Sequence, residues 1–259
     1  MNTSMSSGAA RVATVTGGAS GIGAAIARHL GAQGARIMVC DIDSEGTRRT
    51  VEELEQAGIE ACAVPIDVTS PDSVAEAFAE VRRLHGRCDI LVNCAGVAKV
   101  YPFLEFPLDN WRQTMDVNVT GSLLCSQHGA RMMVNNAWGR IVNIASVAGM
   151  RAVGVGRTAY GTSKSALIAL TRQMAVELAP HGVTANAVCP GPVDTPLTRV
   201  LHSDKFRREY TRAIPLNRYG TTDEIAAVVA FLASDGAAYV TGIAMPVDGG
   251  FLAAGAGPD

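Results

Sequence analysis

The sequence predicts an α/β fold, a single doubly wound parallel sheet of about seven strands with helices on both faces. Two observations predict it. Short, β-branched apolar runs recur at 12–16, 35–41, 61–66, 90–93, 141–145, 184–189 and 244–247. Stretches of helical periodicity separate them, near 22–33, 44–57, 71–85, 109–135, 160–180 and 222–234. Strands that are apolar along both faces need cover on both sides, and alternation with helices makes the sheet parallel. A third observation sets the domain count. No linker, repeat or low-complexity segment interrupts the pattern, so residues 11–259 are expected to form one domain.

Composition narrows the function. Of 259 residues, 48% are hydrophobic and 18% charged, which is ample for a core, and the net charge of −2 argues against a nucleic-acid partner. No apolar run reaches the ~18 residues of a membrane helix, so no membrane partner is expected. The first ten residues, MNTSMSSGAA, lack the basic start and apolar centre of a signal peptide and are expected to be a disordered tail. The cysteines at 40, 62, 88, 94, 125 and 189 form no CxxC and have no histidine at metal spacing. They read as free thiols of a reducing cytoplasm, and no metal is expected.

The first strand runs into TGGASGIG, residues 16–23, and then a helix. Gly17, Gly21 and Gly23, with Ser20 and Ile22 between them, would let the backbone approach a pyrophosphate at a helix N-terminus, where free N–H groups and the positive dipole end collect. The second strand ends on Asp41, about twenty residues on, followed by Ile42. A carboxylate there accepts from both hydroxyls of an adenosine ribose and repels a 2′-phosphate, so NAD is expected over NADP. As a helix start, Ser44 is the better cap candidate than Asp41. Asp67 and Val68 follow the third strand, where an adenine edge would lie. Asn93, Ala95 and Gly96, in NCAG, follow the fourth, with Asn93 bracing adjacent strands and the small residues packing against a cofactor.

The segment MDVNVTG, 115–121, interrupts a helical pattern with Asn118 and β-branched neighbours. A kink there would free a carbonyl to hold a water beside Asn118. The fifth strand ends on Ser146, whose hydroxyl would point into the crevice at the strand ends and polarise a carbonyl. Tyr160 and Lys164 share a helix face at i and i+4. A free phenol, with a pKa near ~10, is a poor base at neutral pH. One cation at about 4 Å, in an effective dielectric of ~20, stabilises a phenolate by about 4 kcal/mol. That brings a phenol into the range of general acid–base work.

Together TGGASGIG, NCAG, the Asn118 segment, Ser146, Tyr160-x-x-x-Lys164, PGPVDTP (190–196) and TGIAMPVDGG (241–250) resemble the short-chain dehydrogenase/reductase family over roughly 11–252. The resemblance implies a seven-stranded Rossmann-type sheet, a nicotinamide cofactor, Tyr160 as acid/base, Lys164 as its partner, Ser146 as polariser and Asn118 in a proton relay. It also implies cofactor contacts from Pro190, Gly191, Val193 and Thr195, and closure of 195–218 over substrate. Two features depart from the family's pattern. Cys94 stands where an amide is usual, and the Ser146-to-Tyr160 interval of fourteen is one longer than is common.

The helix from Tyr160 is apolar on more than one side, which resembles the family's pairing of long helices and implies a homodimer or homotetramer. The expected activity is NAD-dependent interconversion of a secondary alcohol and a ketone. Two other readings compete, a 3-oxoacyl carrier-protein reductase using NADPH and a catalytically silent NAD-binding regulator. Asp41 argues against the first, and an intact Ser146, Tyr160 and Lys164 against the second.

The substrate is the least constrained expectation. Arg157 precedes Tyr160 by three residues, and Arg199 follows Thr195 by four. Two arginines converging on the crevice would clamp a small anion with forked hydrogen bonds. GRTAY and TPLTR also resemble family members that act on small sulfonated alcohols. Alternatively Arg199, Lys205, Arg207, Arg208 and Arg212 form a solvated face and Arg157 pairs with a nearby acid. The substrate is then a neutral sugar, polyol or cyclic alcohol, with Tyr101, Phe103 and Met150 as lining.

Overall fold

Seven strands build one sheet: β1 (Val12–Thr16), β2 (Arg36–Asp41), β3 (Ala61–Pro65), β4 (Ile90–Asn93), β5 (Gly139–Ile144), β6 (Val183–Pro190) and β7 (Ala244–Val247). The computed structural model describes residues 10–254, so nine of the ten residues of the expected N-terminal tail lie outside the described residues. All strand pairs are parallel, in the order β3-β2-β1-β4-β5-β6-β7. The order reverses between β1 and β4, and a crevice opens at such a reversal, outside the carboxyl ends of the strands.

The connecting helices are α1 (Gly21–Ala32), α2 (Ser44–Gln56), α3 (Pro71–His85), α4 (Leu108–Met115), α5 (Gly121–Val134), α6 (Thr158–Leu178), α7 (Pro196–Leu201), α8 (Asp204–Arg212) and α9 (Thr222–Leu232). Helices α1, α2 and α9 cover one face through Ile26, Leu30, Leu54, Ile225 and Leu232. Helices α3, α5 and α6 cover the other through Val74, Phe78, Met133 and Met174. Strands β1, β4, β5 and β6 are buried throughout, as continuous apolar runs require.

Three elements differ from the sequence reading. The cap of α2 is Asp43 rather than Ser44: its carboxylate accepts the Gly46 N–H at 3.0 Å, and Ser44 is already helical. The expected helix over 109–135 is two helices joined by a π turn, Asp116–Thr120. Its β-branched valines and threonine hold the α geometry poorly, and such single turns recur at functional sites. The segment 195–218 carries two short helices, α7 and α8, capped by Thr195 and Ser203. Helix α8 buries no residue fully, but its half-buried Tyr210 packs against the cluster of Ile214 and Phe251.

The end of the sheet where strands begin is stapled by charge. Asp89 is fully buried, accepts the Val12 N–H at 2.8 Å and takes a forked pair from Arg87 at 2.7 and 2.8 Å. Two guanidiniums pack over the Trp138 ring, Arg11 at 3.7 Å and Arg140 at 4.3 Å. Asp235 accepts both from Arg11, at 2.8 and 2.9 Å, and from the Trp138 Nε1–H at 3.2 Å.

Candidate active site

The glycine loop after β1 is shaped by close approach. Gly17 has a φ of +68°, and a Cβ there would lie 2.7 Å from the Ala95 amide nitrogen. A Cβ on Gly23 would overlap the Gly17 carbonyl oxygen. Side chains are therefore excluded where the 17–23 loop turns and where the loop after β4 presses on it. Thr16 ties the two loops, its Oγ1 accepting from the amides of Cys94 and Ala95 at 3.2 and 3.3 Å. Asp41 ends β2 beside them. Its Oδ2 accepts the Ala19 N–H and its Oδ1 the Asp43 N–H, both at 3.1 Å.

These loops open on a cleft of about 910 Å³ at the carboxyl ends of the strands. It is lined by Gly17, Ser20, Gly21, Ile22, Gly23, Asp41, Ile42, Asp67, Val68, Ala95, Gly96, Pro190, Gly191, Val193 and Thr195, all expected for a cofactor. Ser146, Tyr160 and Lys164 line the same cleft. The cradle therefore fits a dinucleotide: small residues at the loop, a helix N-terminus behind it and a carboxylate at the second strand end.

Lys164 is buried, and its Nζ donates to the Ile144 carbonyl at 2.7 Å while standing 5.8 Å from the Tyr160 ring centre. Ser146 caps a short 3₁₀ turn, Val147–Gly149, accepting the Ala148 N–H at 3.1 Å. Strand β5 delivers Ser146 and helix α6 delivers Tyr160 and Lys164, so rigid elements hold all three. Cys94, in the amide's place, also lines the cleft, and burial pushes its thiol up to about 12. It stays protonated and unreactive at neutral pH.

Of the expected catalytic and cofactor residues two do not line the cleft, and of the expected substrate residues Arg157, Arg199, Tyr101 and Met150 do not line it either. Asn93 is buried beneath it, donating through Nδ2 to Asn143 Oδ1 at 2.8 Å and Ser126 Oγ at 2.9 Å. Asn143 in turn donates to Thr171 at 2.8 Å, so one polar ladder crosses α5, β4, β5 and α6. Asn93 is the expected strand brace and not a cofactor contact. Asn118, within the π turn, is also fully buried. Its side chain accepts the Val97 N–H at 2.9 Å and donates to the Val97 carbonyl at 3.1 Å and to Ser163 Oγ at 2.9 Å. Its own carbonyl accepts the Ser122 hydroxyl at 3.1 Å. The kink is as expected, but the amide fastens the loop after β4 to α6.

Sequence reasoning missed Thr16, Asn143, Ser163 and His202. Asn143 left a signal, an amide inside a strand that is buried throughout.

The arginine clamp does not form. Arg199 turns to solvent and pairs with Asp194 through Nε at 3.3 Å and Nη2 at 3.0 Å, and Arg207 reaches the same carboxylate at 3.1 Å. Hydrogen bonds from Arg199 foremost, and from Arg207, hold the Asp194 carboxyl below its usual range. A neighbouring acid has claimed Arg199. Arg157 meets no carboxylate among the described residues and donates instead to His202 Nε2 at 3.0 Å. Tyr101 packs edge-on against Phe106, and its amide donates to the Gly156 carbonyl at 3.1 Å. Met150 and Phe103 are 43% and 74% exposed, so neither is a closed lining. The extra residue of the Ser146–Tyr160 interval falls in a loop whose Val155 is 92% exposed, so the longer loop bulges outward.

A family model described as enoyl-(acyl carrier protein) reductase matches residues 17–252. The chain is 40% identical to the 3-oxoacyl-(acyl-carrier-protein) reductase of Aquifex aeolicus, over 93% of this chain and 97% of that one. It is equally 40% identical to the cis-4-hydroxycyclohexanecarboxylate dehydrogenase of Sinomonas cyclohexanicum, over 95% and 98%. Among solved structures, a short-chain type dehydrogenase/reductase from Mycobacterium marinum superposes with a TM-score of 0.90 at 34% identity, covering 93% of this chain and 95% of that one. A gluconate 5-dehydrogenase from Burkholderia cenocepacia, in complex with NADP and tartrate, also gives 0.90, at 32% identity over 95% and 96%. Motifs, strand order, cleft and relatives agree, and the chain belongs to the short-chain dehydrogenase/reductase family of oxidoreductases.

Proposed function

We propose that this chain is an NAD-dependent enzyme interconverting a secondary alcohol and a ketone on a small hydroxy- or keto-carboxylate. One observation carries the reading: Ser146, Tyr160 and Lys164 line the same cleft as the glycine cradle and Asp41. When bound there, a nicotinamide supplies the hydride chemistry. The chain's own work is the proton. Ser146 Oγ donates to the ketone oxygen or accepts from the alcohol. Tyr160 Oη gives the proton in reduction and takes it in oxidation, and the Lys164 ammonium, held by the Ile144 carbonyl, stands beside it. Asn118 acts behind them by fastening the loop after β4 to the catalytic helix.

The preference for NAD rests on Asp41, whose carboxylate would meet a 2′-phosphate with no Lys or Arg at 17–23 or 41–44 to offset it. The gluconate 5-dehydrogenase is in complex with NADP, so the test below compares both cofactors. The carboxylate rests on Arg157, a cation one turn before Tyr160 with no acid partner among the described residues. Two of the relatives above are named for carboxylates. The Aquifex relative supports a second reading, reduction of a carrier-bound 3-oxoacyl group. Residues 11–259 act as one domain, with 195–218 closing over the substrate. Two or four copies pair through the groove where Leu123, Val134, Leu170 and Leu178 lie between α5 and α6. All six cysteines are free, which fits a reducing cytoplasm, and no helix among the described residues is long and apolar enough to cross a membrane.

The test is absorbance of the reduced nicotinamide with a panel of hydroxy acids, keto acids, polyols and acyl thioesters, each with NAD and NADP. A carboxylate substrate with NAD is expected to lead. A charge-assisted hydrogen bond is worth about 1.5–3 kcal/mol, so Arg157→Gln should cut kcat/KM for that substrate roughly 10–150-fold and spare a neutral alcohol. A neutral alcohol or a thioester as best substrate overturns the carboxylate reading.

A further inference from the structure

His202 sits where the lid meets the catalytic helix. It closes α7 and is only 7% exposed. One ring nitrogen, Nε2, lies 3.0 Å from an Arg157 nitrogen, and the other, Nδ1, lies 3.0 Å from the Tyr219 hydroxyl. A guanidinium has donors and no acceptor, so Nε2 must accept. The ring is then neutral, its proton sits on Nδ1, and that N–H donates to Tyr219. Phe206, Tyr219 and Tyr210 wall the ring, at centre-to-centre distances of 4.6, 6.0 and 6.3 Å.

We propose that His202, neutral and protonated on Nδ1, is a positioning residue that fixes the Arg157 guanidinium one turn before Tyr160 and pins α7 and α8 to the start of α6. The functional consequence rests on the carboxylate reading of Arg157; the pin itself does not.

The groups around the ring decide how the pin responds to acid. Arg157 faces it from the start of α6 and Arg207 from α8. Tyr210 of α8 and Tyr219 beyond it supply phenols, both pushed up first of all by burial. The nearby carboxylate, Asp194, is engaged by Arg199 and Arg207. A second proton on the ring would remove the acceptor for Arg157 and add a positive charge between two guanidiniums. Burial foremost, then Arg157 and Arg207, lower the His202 pKa from the usual 6.5 to about 4. With the lid released, the ring returns towards 6.5. The closed lid thus binds the proton more weakly than the open one. Closure keeps its full strength above about pH 6.5 and weakens tenfold per unit as pH falls towards about 4. At pH 5 the open lid should be populated about 30-fold more than at pH 7.5.

The test uses the full chain without substrate. Long-range proton–nitrogen spectra of the imidazoles, assigned with His202→Gln, should show the Nδ1–H tautomer at pH 7 and protonation only below about pH 5. An Nε2–H tautomer, or a midpoint near 6.5, overturns the proposal. Amide exchange over 196–212, corrected for intrinsic rates, supplies a second readout. The wild type should open about 30-fold more at pH 5 than at pH 7.5. Glutamine carries an acceptor and a donor on one carbon, so His202→Gln should keep protection at pH 7.5 and lose the acid response. His202→Leu should open at both pH values. A wild-type response retained by glutamine, or full protection in leucine, overturns the pin. Because no substrate is present, an enzyme that prefers neutral alcohols would sink the carboxylate reading and leave these outcomes unaffected.

Discussion

Three arginines where the strands begin and the two cations that flank Tyr160 where they end are held in opposite ways. Where the strands begin, Arg11 has Asp235, Arg36 has Glu60 and Arg87 has Asp89. Where they end, the cations flanking Tyr160 have neutral acceptors: Lys164 has the Ile144 carbonyl and Arg157 the ring of His202. A cation matched by a carboxylate is neutralised and holds elements together. A cation held by a neutral acceptor is positioned but keeps its charge, and of the two only Lys164 lines the cleft. The comparison therefore divides residues by consequence. Substitutions at the first end should move the melting temperature and leave turnover alone, and substitutions at the second should do the reverse.

The largest effect tests the second end. Tyr160→Phe removes one hydroxyl at the cleft. Turnover should fall by about 10²–10⁴, the usual worth of general acid–base catalysis, with the melting temperature unchanged. Steady-state kinetics beside calorimetry reads both quantities. Retention of more than a tenth of the turnover would take Tyr160 out of the proton's path, and a large loss of stability would erase the division between the ends.

Next comes Asp89→Ala. It orphans the Val12 N–H and leaves Arg87 without its forked partner. The cost should be about 2–4 kcal/mol, a drop of roughly 5–15 °C in melting temperature for a chain of this size. Turnover per folded molecule should be untouched. A variant equal to wild type in stability would mean that the pairing at this end is ornamental.

The same contrast explains what the sequence disclosed. Strands β1 and β4 and the cleft-lining backbone at 17–23 are legible because apolar runs and small residues report burial and close approach directly. A polar side chain's partner is not written next to it. The sequence marks Asn93 and Asn118, but nothing local says that one bonds Asn143 and the other Val97 and Ser163. Arg199 looked available because Asp194 sits five residues before it, across a helix start, and only the turn geometry brings the two together. His202 was unreadable for the same reason, since its partners lie 45 residues before and 17 residues after it.

A smaller effect sharpens the second end. Asp41→Ala should narrow the preference for NAD over NADP by at least tenfold, about 1.4 kcal/mol, by removing the charge that opposes a 2′-phosphate. Ratios of kcat/KM for the two cofactors measure it. Equal use of both by the unmodified enzyme, or an unchanged ratio in the variant, would remove Asp41 from cofactor choice. Asp41 also accepts two backbone amides, so a small fall in stability is expected as well. It is the residue where the division between the ends should be least clean.

The smallest effect returns to the first end. Arg11→Met keeps an unbranched chain against Trp138 but removes the two contacts that Nη2 makes to the Asp235 carboxylate. That pair is short, at 2.8 and 2.9 Å, yet Asp235 is 57% exposed, so solvent and salt screen it. Exposed pairs are usually worth under about 1 kcal/mol. Hydrogen bonds from Arg11 foremost hold the Asp235 carboxyl below its usual 3.8. Such a carboxylate contributes stability above its unfolded value and loses it as pH falls through the folded one. The gap in stability between wild type and Arg11→Met should therefore hold from neutrality down to about pH 4, then shrink below it, and narrow in high salt. Denaturant melts at pH 7 and pH 3, with and without added salt, would measure this. A gap that ignored both acid and salt would mean that Arg11 acts by stacking on Trp138 rather than by charge, and a fall in turnover would show that the two ends are coupled.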